Sequence, residues 1–130
     1  MPYEEKRPEE REAISVREID GISVIYVNGD ILFSGESSDE FDRALRGIKT
    51  EDFVVYVGDN VNNLDTSVPA SLISHYRESP LSTLIMCGNV DALRRIFEVS
   101  RISEDILNRR MNARICGDCD NCRYRPNCQV

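Results

Sequence analysis

Four of the five cysteines in this chain, Cys116, Cys119, Cys122 and Cys128, are crowded near its end with the spacing Cys-x2-Cys-x2-Cys-x5-Cys. Four soft donors so close in sequence can close on one metal centre and make poor core filler. Tetrathiolate coordination is therefore the expectation for residues 113–130. The same crowding leaves the rest of the chain without a cross-link. With Cys87 the one cysteine upstream, residues 14–112 must fold on hydrophobic patterning alone, and their number suits a single core. Residues 1–13, MPYEEKRPEEREA, are mostly charged and read as a frayed leader or a short solvated helix with no chemistry of its own.

The patterning between these ends alternates strand and helix. Ile14, Val16 and Ile19, then Ile22, Val24 and Tyr26, form two alternating runs parted by Asp20-Gly21, which predicts a hairpin. Near Ser37 or Ser38, residues suited to capping, a helix is expected to begin and to carry Phe41, Ala44, Leu45 and Ile48. Residues 53–57 (FVVYV) form a nearly continuous apolar run rich in β-branched side chains, the mark of a strand buried on both faces. After the polar loop 58–63, a second helix is expected to open around Asp65-Thr66-Ser67, with Pro69 tolerated in its first turn, and to stop before Pro80. Residues 84–87 (LIMC) predict another buried strand, Val90, Leu93, Ile96 and Phe97 a third helix, and residues 103–111 a fourth. The fold class is α/β, one mixed sheet with helices packed on it.

Composition narrows the partners. Sixteen basic against 23 acidic side chains give a net charge of −7 and a pI near 4.7. Such a surface argues against a general electrostatic grip on nucleic acid or anionic lipid. No stretch approaches the roughly 20 apolar residues of a membrane span, and the charged start lacks the apolar core of a secretory signal. The expectation is a cytoplasmic protein that binds no nucleic acid or membrane. No nucleophile–base pair, glycine-rich phosphate loop or carboxylate pair stands out, so the chain is not read as an enzyme. His75, the one histidine, has no second catalytic group at a suggestive spacing and reads as a helix-face residue, and Cys87 as core.

Three stretches carry a resemblance: residues 24–30 (VIYVNGD), 54–73 (VVYVGDNVNNLDTSVPASLI) and 86–97 (MCGNVDALRRIF). With the order of elements around them, they resemble the STAS domain of bacterial anti-sigma factor antagonists over about residues 14–112. The resemblance implies a regulatory protein that binds a protein partner, an anti-sigma factor or kinase-like regulator, at the start of the second helix, through Asp65, Thr66, Ser67 and Ser71. It also implies a phosphoacceptor at Ser67, with Thr66 as its neighbour and Asp65 as the matching acid. Where the family usually has Gly-Leu-Gly after the acceptor, this chain has Val68-Pro69-Ala70, and at a position where it often has an acid this chain has Leu32. A phosphate there has a physical logic, because the amides and the positive dipole end of a helix start favour added negative charge.

The tail admits two metals. Three cysteines spaced by two residues wrap tightly, as they do around a cubane, and residues 122–128 (CRYRPNC) resemble the segments that hold auxiliary 4Fe-4S clusters in some radical enzymes. A 4Fe-4S cluster is the first expectation and structural zinc the alternative, with disulfides or unligated thiols behind both. From residue 108 onward five arginines stand against two aspartates, which would offset an anionic thiolate centre. The whole then reads as a partner-switching module whose metal centre senses redox state. The alternatives are a small iron–sulfur electron-transfer or redox-sensing module using the same fold for docking, and a scaffold with a purely structural zinc.

Overall fold

The computed structural model describes residues 14–31 and 36–116. Strands β1 (Ile14–Ile19) and β2 (Ile22–Val27) form the expected antiparallel hairpin. Its two-residue turn, Asp20 at φ 52° and Gly21 at φ 80°, has the positive dihedrals of the tight turn that matches strand twist. Helix α1 (Glu36–Arg46) leads to β3 (Asp52–Val57), α2 (Ser67–Glu78) to β4 (Thr83–Gly88), and α3 (Val90–Val99) with α4 (Glu104–Met111) to β5 (Ala113–Ile115). Ser37 and Ser38 lie inside the first turn of α1 instead of capping it, and Glu36 and Asp39 there place negative charge at the positive end of the helix dipole. Asn89 and Ser103 do cap, accepting from the amides of Ala92 and Ile106. Leu32 and the leader lie outside the described residues.

The sheet order is β1-β2-β3-β4-β5, antiparallel in its first pair and parallel in the other three. The sheet thus takes in residues beyond position 112: Ala113 and Ile115 are buried in its core face. A three-residue strand with an arginine at its centre has too short a period to be read from sequence.

Sequential order has a consequence for the helices. Each parallel crossover steps the same way along the sheet, and crossovers of this kind are right-handed. The helices therefore collect on one face. Phe41 and Leu45 from α1, Val68 and Leu72 from α2, Leu93, Ile96 and Phe97 from α3, and Leu107 and Met111 from α4 join the inward side chains of the strands in one core. Each such side chain contributes about 1.5–3 kcal/mol by leaving water. The alternate residues of the strands face the other way and form a second, smaller cluster around Val24, Tyr26, Val54 and Cys87.

Candidate functional site

At the carboxyl ends of the parallel strands three loops are tied together, and the tie is what positions the start of α2. β4 ends in Gly88, at φ +93°, where a Cβ would lie 2.1 Å from the Val57 carbonyl oxygen. No side chain fits there, so the chain turns sharply and Asn89 N–H donates to that same carbonyl at 2.8 Å. Asn89 Nδ2 then donates to the Val61 carbonyl at 2.9 Å, which fastens the β3–α2 loop to the start of α3. From the other side Asp30 reaches across from the end of β2. Its Oδ1 accepts from the backbone amides of Asn62 and Asn63 at 2.8 and 3.2 Å, and its Oδ2 from Asn63 Nδ2 at 3.0 Å. The Asn62 amide and the Asn63 side chain favour the charged form most and hold this carboxyl below the usual carboxylate range.

The held loop delivers Asp65, Thr66 and Ser67. These three side chains do not share the capping of α2 equally. Thr66 occupies the N-cap position in helical dihedrals with no side-chain cap bond. Asp65 acts in its place: its Oδ1 accepts from the Ser67 amide at 2.7 Å and from the Ser67 hydroxyl. This is the local turn that aspartate builds two residues ahead of itself. Asp65 Oδ2 is buried and has no hydrogen-bond partner among the described residues. Thr66 is exposed, Ser67 and Ser71 are half-buried, and Val68 and Pro69 turn into the core. The Val68-Pro69 pair thus anchors the helix start from beneath and leaves the hydroxyl side open.

Beside this start runs a surface groove of about 260 Å³, with Asn62, Asn63, Asp65 and Thr66 on one wall and Arg95 and Val99 of α3 on the other. Val99 is 63% exposed. The groove therefore combines a carboxylate, a guanidinium, a hydroxyl and an uncovered apolar side chain. Asn89, Arg95, Asp30 and the asparagine loop carry no sequence pattern that marks them as site residues. The Gly29-Asp30 and Gly88-Asn89 steps lie within the resembling stretches, but the bonds they make span the chain and leave no local signal.

Of the four tail cysteines, Cys116 lies within the described residues and Cys119, Cys122 and Cys128 lie outside them. Cys116 follows β5 directly, half-buried, and its amide donates to the Met86 carbonyl at 2.7 Å. Cys87 is buried in the second cluster, where Cys116 packs against it from the margin. His75 is half-buried on α2 with its ring edge-on to Phe53, centroids 5.0 Å apart. Its Nε2 is buried without a partner among the described residues, and desolvation pushes its pKa down despite the opposing pull of Glu78.

No protein-family model matches this chain, and a search of curated proteins finds no match. Among solved structures, the chain is similar to an anti-sigma factor antagonist from Mycobacterium paratuberculosis, with 16% identity and a TM-score of 0.57 over 78% of this chain and 83% of that one. The likeness establishes a STAS-like α/β fold. Among the described residues no helix is long and apolar enough to cross a membrane.

Proposed function

We propose that this chain is a non-enzymatic partner-switching module that docks a protein regulator, an anti-sigma factor or related kinase, through the start of α2. The observation that carries the reading is the Ser67 hydroxyl, which donates to the carboxylate of Asp65, itself a lining residue of the groove that Arg95 and Val99 complete. The fold shared with an anti-sigma factor antagonist supports it. A phosphoryl group on Ser67 would remove the hydroxyl proton from its bond with Asp65 and place up to two negative charges against that carboxylate. The two anions repel, so the turn at residues 65–67 would open, while the amides of the first turn of α2 give the phosphate a new set of donors. The groove wall would change shape with no refolding of the sheet. Thr66, exposed beside it, is the neighbouring acceptor, and Ser71 lies one turn along the same helix.

Cys116, Cys119, Cys122 and Cys128 complete the proposal as ligands of a metal centre, a 4Fe-4S cluster with zinc as the alternative. The donor set is all thiolate, which suits either one, and Cys116 stands at a sheet end where a ligand is held firmly. A cluster would supply a redox-responsive centre, and zinc a structural one. Binding to a purified ATP-dependent anti-sigma kinase from the same source, followed by calorimetry, tests the docking site. Ser67→Asp is expected to weaken binding at least about tenfold, or 1.4 kcal/mol, and Ser67→Ala to preserve it. Equal affinities for both variants would remove Ser67 from the switch.

A further inference from the structure

The sheet has two edges, and they are guarded differently. β5 is three residues long with Arg114 at its centre, which leaves little backbone to pair. β1, the outer strand at the other edge, runs six residues in unbroken register with β2, from Ile14 opposite Val27 to Ile19 opposite Ile22. It carries no proline, lysine or bulge, the usual devices that keep a strand edge from pairing. Its centre is apolar and uncovered: Val16 is 49% exposed, and Arg17 and Glu18 beside it are exposed too.

The hairpin fixes which backbone groups point outward. A two-residue turn is flanked by a pair that exchanges both hydrogen bonds, here Ile19 and Ile22, and bonded and non-bonded pairs then alternate along the ladder. Arg17 and Ser15 therefore bond β2 as Ile19 does, and the N–H and C=O groups of Ile14, Val16 and Glu18 face away from the sheet. Side chains alternate as well. Ile14 lies in the helix-covered core, so Val16 and Glu18 stand on that face of the strand and Ser15 and Arg17 on the other. Beside the strand α1 leaves an open groove of about 360 Å³, lined by Ile14, Ser15, Val16, Glu40, Arg43 and Ala44.

We infer that this edge pairs with the β1 strand of a second copy of the chain, antiparallel about a two-fold axis through Val16. The residues of the strand select both the occupant and the register. With Val16 opposite its own counterpart, Ile14 faces Glu18 and Ser15 faces Arg17, and the outward N–H and C=O groups all meet partners, about six backbone hydrogen bonds in total. An apolar pair sits on the axis and no like charges are opposed. Sliding the strands one way sets Arg17 against Arg17 and then Glu18 against Glu18. Sliding them the other way carries Glu18 past the end of the opposing strand and loses a bonded pair. The Val16 register also brings Glu18 of each copy to the Ile14 end of the other's groove, which Arg43 lines. Neither Glu18 nor Arg43 has an ion-pair partner among the described residues, so the symmetry supplies the same missing contact twice. The groove at the start of α2 shares no residue with this edge, and the dimer presents two docking sites. A strand edge is a small interface, so association is expected to be weak and concentration-dependent.

Sedimentation velocity of the full-length chain, under reducing conditions and over a concentration series reaching about 1 mM, tests the pairing. The wild type is expected to pass from monomer to dimer as concentration rises. Val16→Lys, which places two ammonium groups on the axis, should weaken association at least about tenfold. Glu18→Arg and Arg43→Glu should each weaken it, and the two together should recover part of the loss, an outcome that a contact elsewhere on the chain does not give. A wild type that stays monomeric throughout the series, or a dimer indifferent to Val16→Lys, would overturn the pairing. Far-ultraviolet dichroism checks that the variants fold, and hydrogen exchange of the wild type decides should one of them not. The amides of Ile14, Val16 and Glu18 are expected to exchange more slowly as concentration rises, and rates independent of concentration would overturn the pairing. Protection of these amides only when another protein is added would give the edge to a foreign strand and overturn the second copy as its occupant.

Discussion

The two faces of the sheet are stabilised by different means. The helix-covered face is a self-sufficient core: strands contribute Ile25, Val55 and Met86, helices answer with Phe41, Leu72, Leu93 and Phe97, and all are essentially removed from water. The other face offers alternate residues of the same strands, Val24, Tyr26, Val54 and Cys87, with no helix among the described residues on it. Right-handed crossovers that all step in one direction produce this asymmetry before any side chain is considered. One face is thus committed to folding and the other is left for whatever else the chain carries. The groove at the start of α2 sits at the strands' carboxyl ends, between that helix start and α3.

The sharpest way to test that division is to damage each face separately. Phe97→Ala, which empties a fully buried ring site on the helix side, should cost about 3–5 kcal/mol in chemical denaturation, whether or not metal is present. A loss that depended on metal would mean that the faces are not separate structures.

Removing the metal should act on the other face. Chelation is expected to leave the helical far-ultraviolet dichroism nearly unchanged while altering the near-ultraviolet tyrosine signal, because Cys116, a proposed ligand, packs against the cluster to which Tyr26 and Tyr56 belong. Collapse of the helical signal on chelation would place the metal within the main core's stability.

Smaller effects distinguish the loops. Asp30→Asn should loosen the β3–α2 loop at a cost of about 1 kcal/mol or less, since solvent weakens these bonds. The sign with pH follows from the lowered carboxyl. Its contribution is complete above the ordinary value of 3.8 and is lost as pH falls through the folded value. Asp30→Asn should therefore flatten the acid limb of the stability curve, and an unchanged limb would show that the tie contributes nothing. His75 gives the smallest term. Its folded pKa is depressed, so stability is full above its ordinary 6.5 and falls as pH drops from there toward the folded value. His75→Gln should remove that slope, as measured by thermal melts between neutral and mildly acidic pH.

How far the chain can be read in advance depends on the range of the interactions involved. The hairpin at Asp20-Gly21 is written in adjacent residues, and so is each helix that carries an apolar stripe, such as Leu93, Ile96 and Phe97. β5 escapes notice because Ala113-Arg114-Ile115 is too short for a period, and with it goes the register that brings Cys116 to Cys87. The start of α2 was legible as Asp65-Thr66-Ser67, but the division of labour was not. Any of the three can cap a helix, and the choice of Asp65 follows from the loop being held by Asp30 and Asn89, which follow two different strands. Val68-Pro69 stands in sequence only as a departure from the family's Gly-Leu-Gly and serves as an anchor in the fold, because burial is decided by the core beneath it.

The most direct test of the account is metal and acid-labile sulfide analysis, with a visible absorption spectrum, on the full-length protein purified without oxygen. The account predicts a stoichiometric thiolate-bound centre, iron with matching sulfide and a brown chromophore in the first instance, or one zinc per chain if the centre is structural. Protein that is folded, reduced and free of bound metal would contradict it, and would leave the start of α2 and the groove beside it as the functional site the account retains.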